Sequence, residues 1–130
     1  MHVPLTPIRN LYRAVDLWNT KTGVVSGNDR FTYGEFGERC ERLAGGLLAA
    51  GIRPGDRVAY LSFNNNQLLE GYFGIPLMRA IVMPLNVRLT PVELTGIHRL
   101  LPMKCSSTAV PWLAEMVLLV LTVLGTTLTP

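Results

Sequence analysis

The sequence has few of the residues that build metal centres and disulfide frameworks. It contains 2 cysteines and 2 histidines among 130 residues, and none of the four has a partner at the spacing of metal ligands. So sparse a use of cysteine favours a reduced, cytoplasmic protein over a secreted one that is stapled by disulfides. The sequence therefore argues against a zinc-binding module and against a small disulfide-rich domain.

Charge is also scarce. Charged residues make up 16% of the chain, the formal net charge is +3, and the basic side chains are scattered without forming a basic block. This distribution predicts a mixed, solvated surface and no nucleic-acid-binding patch. The first 20 residues contain no apolar segment typical of a signal peptide, so we expect none.

The clearest local pattern lies in residues 31–63. Thr32 and Glu35 match the T-x-x-E capping box that begins a helix. Gly51 predicts a left-handed stop to that helix, and Pro54 prevents its continuation. Between these signals, apolar residues recur at steps of three and four, which is typical of a helix with one buried face. They are Tyr33, Phe36, Cys40, Leu43, Leu47 and Ala50.

A second helix and two strands follow. Residues 57–63 are typical of a short strand, and the polar residues 64–66 end it and can cap a helix that starts near Gln67. Pro76 predicts a kink or a broken turn in this helix, because proline has no amide hydrogen. Ile81–Leu85 is the next expected strand. On one side the helix carries Leu69, Tyr72, Phe73, Pro76 and Ala80.

The remaining helix starts complete the predicted fold. Thr6 and Pro7 predict one helix, and Thr90, Pro91 and Glu93 predict another. Between the first two helices, a hairpin is expected in residues 22–32, with its turn at residues 27–29. Strands that alternate with helices favour parallel pairing. We therefore predict an α/β fold with a partial, mostly parallel sheet flanked by helices.

Several separated blocks resemble the N-terminal part of the AMP-forming acyl-CoA synthetases and other acyl-adenylating ligases. The blocks are F-T-Y-G-E-F from Phe31, R-L-A from Arg42, G-I-R-P-G-D-R-V-A from Gly51 and A-I-V-M-P-L-N from Ala80. They occur in the family's order over about residues 7–99. The resemblance implies that residues 1–99 form the N-terminal subdomain of the adenylating-ligase fold, followed by a divergent apolar tail in residues 100–130.

The resemblance also implies a reaction. A carboxylate attacks the α-phosphate of ATP to give an acyl-adenylate and pyrophosphate, and the thiol of coenzyme A then displaces AMP. ATP, Mg²⁺ and coenzyme A are implied for the full-length enzymes, but no cofactor is expected for this chain alone. The family's phosphate loop, magnesium-binding glutamate and catalytic lysine lie outside the matched residues. We therefore assign no catalytic and no metal-binding residue.

One segment of the tail resembles the family's phosphate loop, T-S-G-T-T-G-x-P-K. Gly125, Thr126, Thr127 and Pro130 fall at matching positions. Leu128, however, stands at the second glycine and brings a side chain where backbone must approach phosphate. Two interpretations remain open: a vestigial phosphate loop at Gly125, Thr126 and Thr127 that holds ATP poorly, or chance similarity.

Three functions remain in contention. The first is an N-terminal fragment of a carboxylic acid–CoA ligase that is inactive alone. The second is an interaction module that pairs with a full-length synthetase, or with itself, through exposed apolar surface. The third is a small tail-anchored membrane protein, because residues 109–128 reach the about 20 apolar residues that span a bilayer. Glu115 within that segment disfavours the third interpretation, and the segment's many Val and Thr residues also suit a buried or aggregation-prone strand.

Overall fold

The computed structural model describes residues 6–100. The vestigial phosphate loop at Gly125, Thr126 and Thr127 and the apolar segment 109–128 lie outside the described residues. Within them the chain forms four helices and four strands. In order they are α1 Pro7–Trp18, β1 Thr22–Ser26, β2 Asp29–Thr32, α2 Tyr33–Ala49, β3 Arg57–Leu61, α3 Asn66–Leu77, β4 Ile81–Leu85 and α4 Pro91–Leu100.

The predicted helix starts are confirmed. The hydroxyl of Thr6 accepts a hydrogen bond from a backbone amide in the first turn of α1. At α2, Thr32 and Glu35 bond each other in both directions, which is a complete capping box. At α4, the amide of Thr90 donates to the Glu93 carboxylate at 2.8 Å, and the Glu93 amide returns to the Thr90 hydroxyl at 3.4 Å.

Helix α2 buries the predicted face and ends at the predicted residue. Gly51 has a φ of +89°, a conformation that glycine adopts without a steric penalty. Its amide donates to the carbonyl of Leu48, and the amide of Ile52 donates to that of Leu47. This pair of bonds is a Schellman motif. The buried apolar residues of the helix are Phe36, Cys40, Leu43, Ala44 and Leu47.

The strands form two separate pairs. Strands β1 and β2 make an antiparallel hairpin, and the chain turns at Gly27, whose φ is +59°. Strands β3 and β4 are parallel and in register from Arg57 beside Ile81 to Leu61 beside Leu85. Helix α3 is the crossover between them. The α/β class and the parallel pairing across a helix are therefore confirmed.

Two apolar clusters share helices α2 and α3. The larger one places α2 and α3 against the parallel pair, and Leu43 and Ile75 are fully buried in it. The smaller one packs α1 and the hairpin against α2, with Leu11, Val24 and Phe36 at its centre. Because both clusters use α2, this helix fixes the hairpin relative to the parallel strands.

Of the large apolar residues on the predicted side of α3, Phe73 packs against the smaller cluster, but two others stay exposed. Leu69 and Tyr72 remain 36% and 40% exposed. The buried residues of the helix are instead Glu70, Gly71, Gly74 and Ile75. Two glycines at a spacing of three let α3 approach its neighbours closely, since a Cβ on Gly71 would lie 3.0 Å from the ring of Tyr60.

The end of α3 has an unusual residue. Pro76 lies in the last turn, and the helix ends one residue later at Leu77. Arg79 then adopts a φ of +64° and is the only described residue other than glycine with a positive φ. Its amide donates to the carbonyl of Pro76, and the amide of Ala80 donates to that of Ile75. Helix α3 thus ends in the same motif as α2, but with an arginine in the left-handed position.

Candidate functional site

The carboxyl ends of β3 and β4 lie at the same edge of the parallel pair. In open α/β sheets this is the edge at which ligands bind. An open groove of about 600 Å³ lies there, lined by residues 62–64 after β3, by Tyr72 of α3 and by residues 84–88 at the end of β4. We call it the strand-edge groove.

A second groove lies beside the first. It has a volume of about 430 Å³ and separates residues 24–27 of the hairpin from residues 64–66 and the exposed side of α3. We call it the hairpin groove. Asn64, Leu68 and Tyr72 line both grooves, so the two form one continuous depression across this edge of the molecule.

The three consecutive asparagines have different roles. Asn65 caps α3, because its Oδ1 accepts hydrogen bonds from the Leu68 amide at 2.9 Å and from the Ser62 hydroxyl at 3.1 Å. Asn64 is exposed and lines the grooves. Asn66 points its amide nitrogen at Glu70. The capping role that the sequence indicated is confirmed, and it belongs to the middle residue.

Behind the grooves lies a buried carboxylate that the sequence pattern did not reveal. Glu70 is fully buried. Its Oε1 accepts from the Nε of Arg39 at 2.7 Å and from the Nδ2 of Asn66 at 3.1 Å. Its Oε2 has no hydrogen-bond partner among the described residues. We call Arg39, Asn66 and Glu70 the Glu70 network.

Burial and the negative charge of Glu70 change the chemistry of two neighbouring side chains. Burial raises the pKa of the Cys40 thiol to about 12, and the negative charge of Glu70 adds to the increase. Burial and the same charge raise the pKa of Tyr60, whose hydroxyl donates to the carbonyl of Gln67 at 3.2 Å. A thiol that stays protonated at neutral pH is not a nucleophile, so Cys40 is a packing residue.

The part of the chain that the structure describes offers neither a metal site nor a membrane-spanning helix. Within residues 6–100, no group of three or more His, Cys, Asp or Glu side chains could hold a metal ion. Over the same stretch, no helix has both the length and the apolar character needed to cross a membrane.

The sequence matches a known family over most of its length. A sequence model of the AMP-binding enzymes matches residues 11–116. Because this is well over half of the chain, the chain belongs to the AMP-binding enzyme family. The resemblance drawn from the separated sequence blocks is therefore confirmed.

Several similar proteins are CoA ligases or CoA synthases by name, and this chain matches only a small part of each. The feruloyl-CoA synthase of an Amycolatopsis species is 49% identical over 73 residues, which are 56% of this chain and 15% of that protein. The chain spans less than a fifth of the length of the curated relatives that it matches.

Solved structures show the same fold. The fatty acyl CoA synthetase of Mycobacterium tuberculosis superimposes with a TM-score of 0.65 at 29% identity, over 68% of this chain and 18% of that one. The N-terminal subdomain of Klebsiella oxytoca NpsA gives a TM-score of 0.71 at 16% identity, over 80% of this chain and 28% of that one. The second likeness concerns the fold alone. The prediction of an N-terminal subdomain fold is confirmed.

Proposed function

We propose that this chain provides the N-terminal structural part of an AMP-forming carboxylic acid–CoA ligase, and that it does not adenylate an acid by itself. The observation that carries the proposal is the character of the ligand-binding edge of β3 and β4. Of the described residues that line its two grooves, Arg88 alone is charged. The other lining residues are amide, hydroxyl or apolar.

Adenylation requires more charge than this edge offers. The reaction transfers AMP from a triphosphate, and the negative charge that develops on the phosphate oxygens must be met by several cations or a metal ion. One exposed arginine cannot provide this. The grooves therefore suit a role in shaping the site, with the phosphate-binding groups supplied by other parts of a ligase.

The exposed apolar residues at this edge support the same role. Phe63 is 74% exposed and Val87 is 36% exposed, and both line the strand-edge groove. Large apolar side chains that lie together on a surface mark places where other protein packs. We infer that the rest of a ligase covers this edge, and that the acid and coenzyme A bind only after it is covered.

The first experiment tests the isolated chain. The full 130-residue chain is produced in a host that lacks acyl-CoA synthetases, and ATP–pyrophosphate exchange is measured with fatty and aromatic acids. We expect no exchange above the blank without enzyme. Exchange that depends on an added acid would contradict the proposal that adenylation needs other parts of a ligase.

The second experiment tests the structural role. In the Amycolatopsis feruloyl-CoA synthase, the 73-residue segment that matches this chain is replaced by the matching segment of this chain, and feruloyl-CoA formation is measured. We expect the graft to form feruloyl-CoA, whereas the synthase with the segment deleted should not. A graft that folds but forms no feruloyl-CoA, while the intact chain binds a full-length synthetase, would favour the interaction module instead.

A further inference from the structure

We propose that Glu70 is a positioning residue, which holds the β1–β2 hairpin against the start of helix α3 and so sets the width of the hairpin groove. The groove lies between two elements that are far apart in sequence, with residues 24–27 on one wall and residues 64–66 on the other. The Glu70 network contacts both of these walls and can therefore fix the distance between them.

The Glu70 carboxylate connects two helices. Arg39 on α2 and Asn66 on α3 both donate to the same oxygen of Glu70, at 2.7 and 3.1 Å. Hydrogen bonds to an ionised acceptor are short and directional. One buried oxygen atom therefore fixes the side chains of two residues on different helices.

Both hydrogen-bond partners of Glu70 also contact the hairpin. The guanidinium carbon of Arg39 lies 4.7 Å from the ring centroid of Phe31 on β2, a cation–π contact. The backbone amide of Asn66 donates to the hydroxyl of Ser26, the last residue of β1, at 3.3 Å. Each strand of the hairpin is thus connected to Glu70 through one partner. The bond between Asn66 and Ser26 joins the two walls of the groove directly, because both residues line it.

Stabilising the fold is not the only role that suits the Glu70 network. The second oxygen of Glu70 is buried without a hydrogen-bond partner among the described residues, so the desolvation of the carboxylate is only partly offset. An apolar side chain in the same place would avoid that loss. An apolar side chain could not, however, orient Arg39 and Asn66, and orientation is what the carboxylate adds.

The experiment compares local and global stability in the full chain. Hydrogen–deuterium exchange is measured for amides of the hairpin and of α2, together with the urea midpoint, in the unmodified chain and in Glu70→Leu and Glu70→Gln. We expect Glu70→Leu to speed exchange in β1 and β2 at least roughly tenfold, the change expected when a charge-assisted hydrogen bond is lost. Exchange in α2 and the urea midpoint should change much less.

Glu70→Gln is the conservative variant. Its amide oxygen can still accept from Asn66 or Arg39, so hairpin exchange should return to within about threefold of the unmodified chain. Glu41→Gln is the matched control, because Glu41 accepts from Tyr12 at 3.4 Å on the exposed surface, and it should leave the hairpin unchanged. Exchange that rises equally in α2 and the hairpin after Glu70→Leu would overturn the proposal, as would unchanged hairpin exchange.

A second variant keeps the test decisive if Glu70→Leu does not fold. Ser26→Ala removes the hydroxyl that accepts from Asn66 and leaves the buried carboxylate in place. We expect faster exchange confined to β1 and β2, and hairpin exchange equal to that of the unmodified chain would overturn the proposal. Neither measurement involves ligase activity, so failure of this inference and failure of the proposed function are distinguishable. Any effect of the groove width on catalysis depends on the proposed role of the chain in a ligase.

Discussion

A Cβ atom on Gly74 would lie 2.8 Å from the backbone carbonyl oxygen of Cys40. Gly74 belongs to α3 and Cys40 to α2, so the two helices pack backbone against backbone at this point. The contact sits between both apolar clusters, because Cys40 belongs to the smaller cluster and Leu43, one turn further along α2, belongs to the larger one. Helices α2 and α3 can thus pack this closely only because Gly74 has no Cβ atom.

The first prediction follows from this contact. Gly74→Ala should lower the free energy of unfolding by about 1–3 kcal/mol, since the new methyl group meets a backbone atom that cannot rotate away. Gly45→Ala is the matched control, because nothing lies within 4 Å of its Cβ position in α2, and it should raise stability by about 0.5–1 kcal/mol. Urea unfolding of both variants checks the pair, and a neutral Gly74→Ala would contradict the close packing.

The second prediction concerns the buried face of α2. Leu43 is fully buried, whereas its neighbour Arg42 is exposed. Leu43→Ala should cost about 2–5 kcal/mol through lost burial and the cavity left behind. Arg42→Ala, one position along the same helix, should change the free energy of unfolding by less than about 0.5 kcal/mol. Equal effects of the two substitutions would mean that the buried face is assigned wrongly.

The features that the sequence predicted well are local ones. The capping pairs at Thr32 and Thr90 and the stop at Gly51 each depend on residues within one helical turn, so the pattern alone determines them. The apolar face of α2 repeats over several turns and leaves no competing interpretation. The parallel pairing of β3 and β4 follows from a helix between two short strands.

What the sequence did not predict depends on distant partners. Glu70 stands in an ordinary helical pattern, and nothing local shows that Arg39, 31 residues earlier, will meet it in the interior. The exposed side of α3 was even harder to predict from the sequence, because Leu69 and Tyr72 on that side are large and apolar and yet line the grooves. The one usable signal was the pair Gly71 and Gly74, whose missing side chains leave room for Tyr60 of β3 and for the backbone of α2.

The third prediction concerns the left-handed residue after α3. Arg79 has a φ of +64°, a conformation that costs a non-glycine residue roughly 1 kcal/mol. Arg79→Gly should therefore raise the free energy of unfolding by up to about 1 kcal/mol, with part of the gain offset by the greater freedom of glycine in the unfolded chain. Gly51→Ala makes the reverse change at the equivalent left-handed position after α2, where φ is +89°, and should destabilise the protein. Thermal unfolding of both variants checks the sign, and a destabilising Arg79→Gly would show that the arginine side chain contributes more than its backbone strain costs.

The fourth prediction concerns the dependence of stability on alkaline pH. The pKa of the buried Cys40 thiol rises from its ordinary 9.0 to about 12, chiefly through burial and further through the charge of Glu70. The folded chain therefore holds this proton more tightly than the unfolded chain. The stabilisation is complete below pH 9 and is lost as the pH rises from about 9 toward 12, by at most about 1.4 kcal/mol per pH unit.

Cys40→Ala removes this dependence while leaving every other titrating group in place. Its free energy of unfolding should be lower at pH 8, because a buried side chain is truncated, but it should fall less steeply between pH 8.5 and 10 than that of the unmodified chain. Tyr60→Phe is the companion variant and should keep the slope of the unmodified chain over this range, because the raised pKa of Tyr60 affects stability only above its ordinary value of about 10. Urea unfolding under a reducing agent across this pH range measures all three slopes. If the unmodified chain and Cys40→Ala lose stability with the same slope, the thiol is more accessible to water than its burial between α2 and α3 indicates.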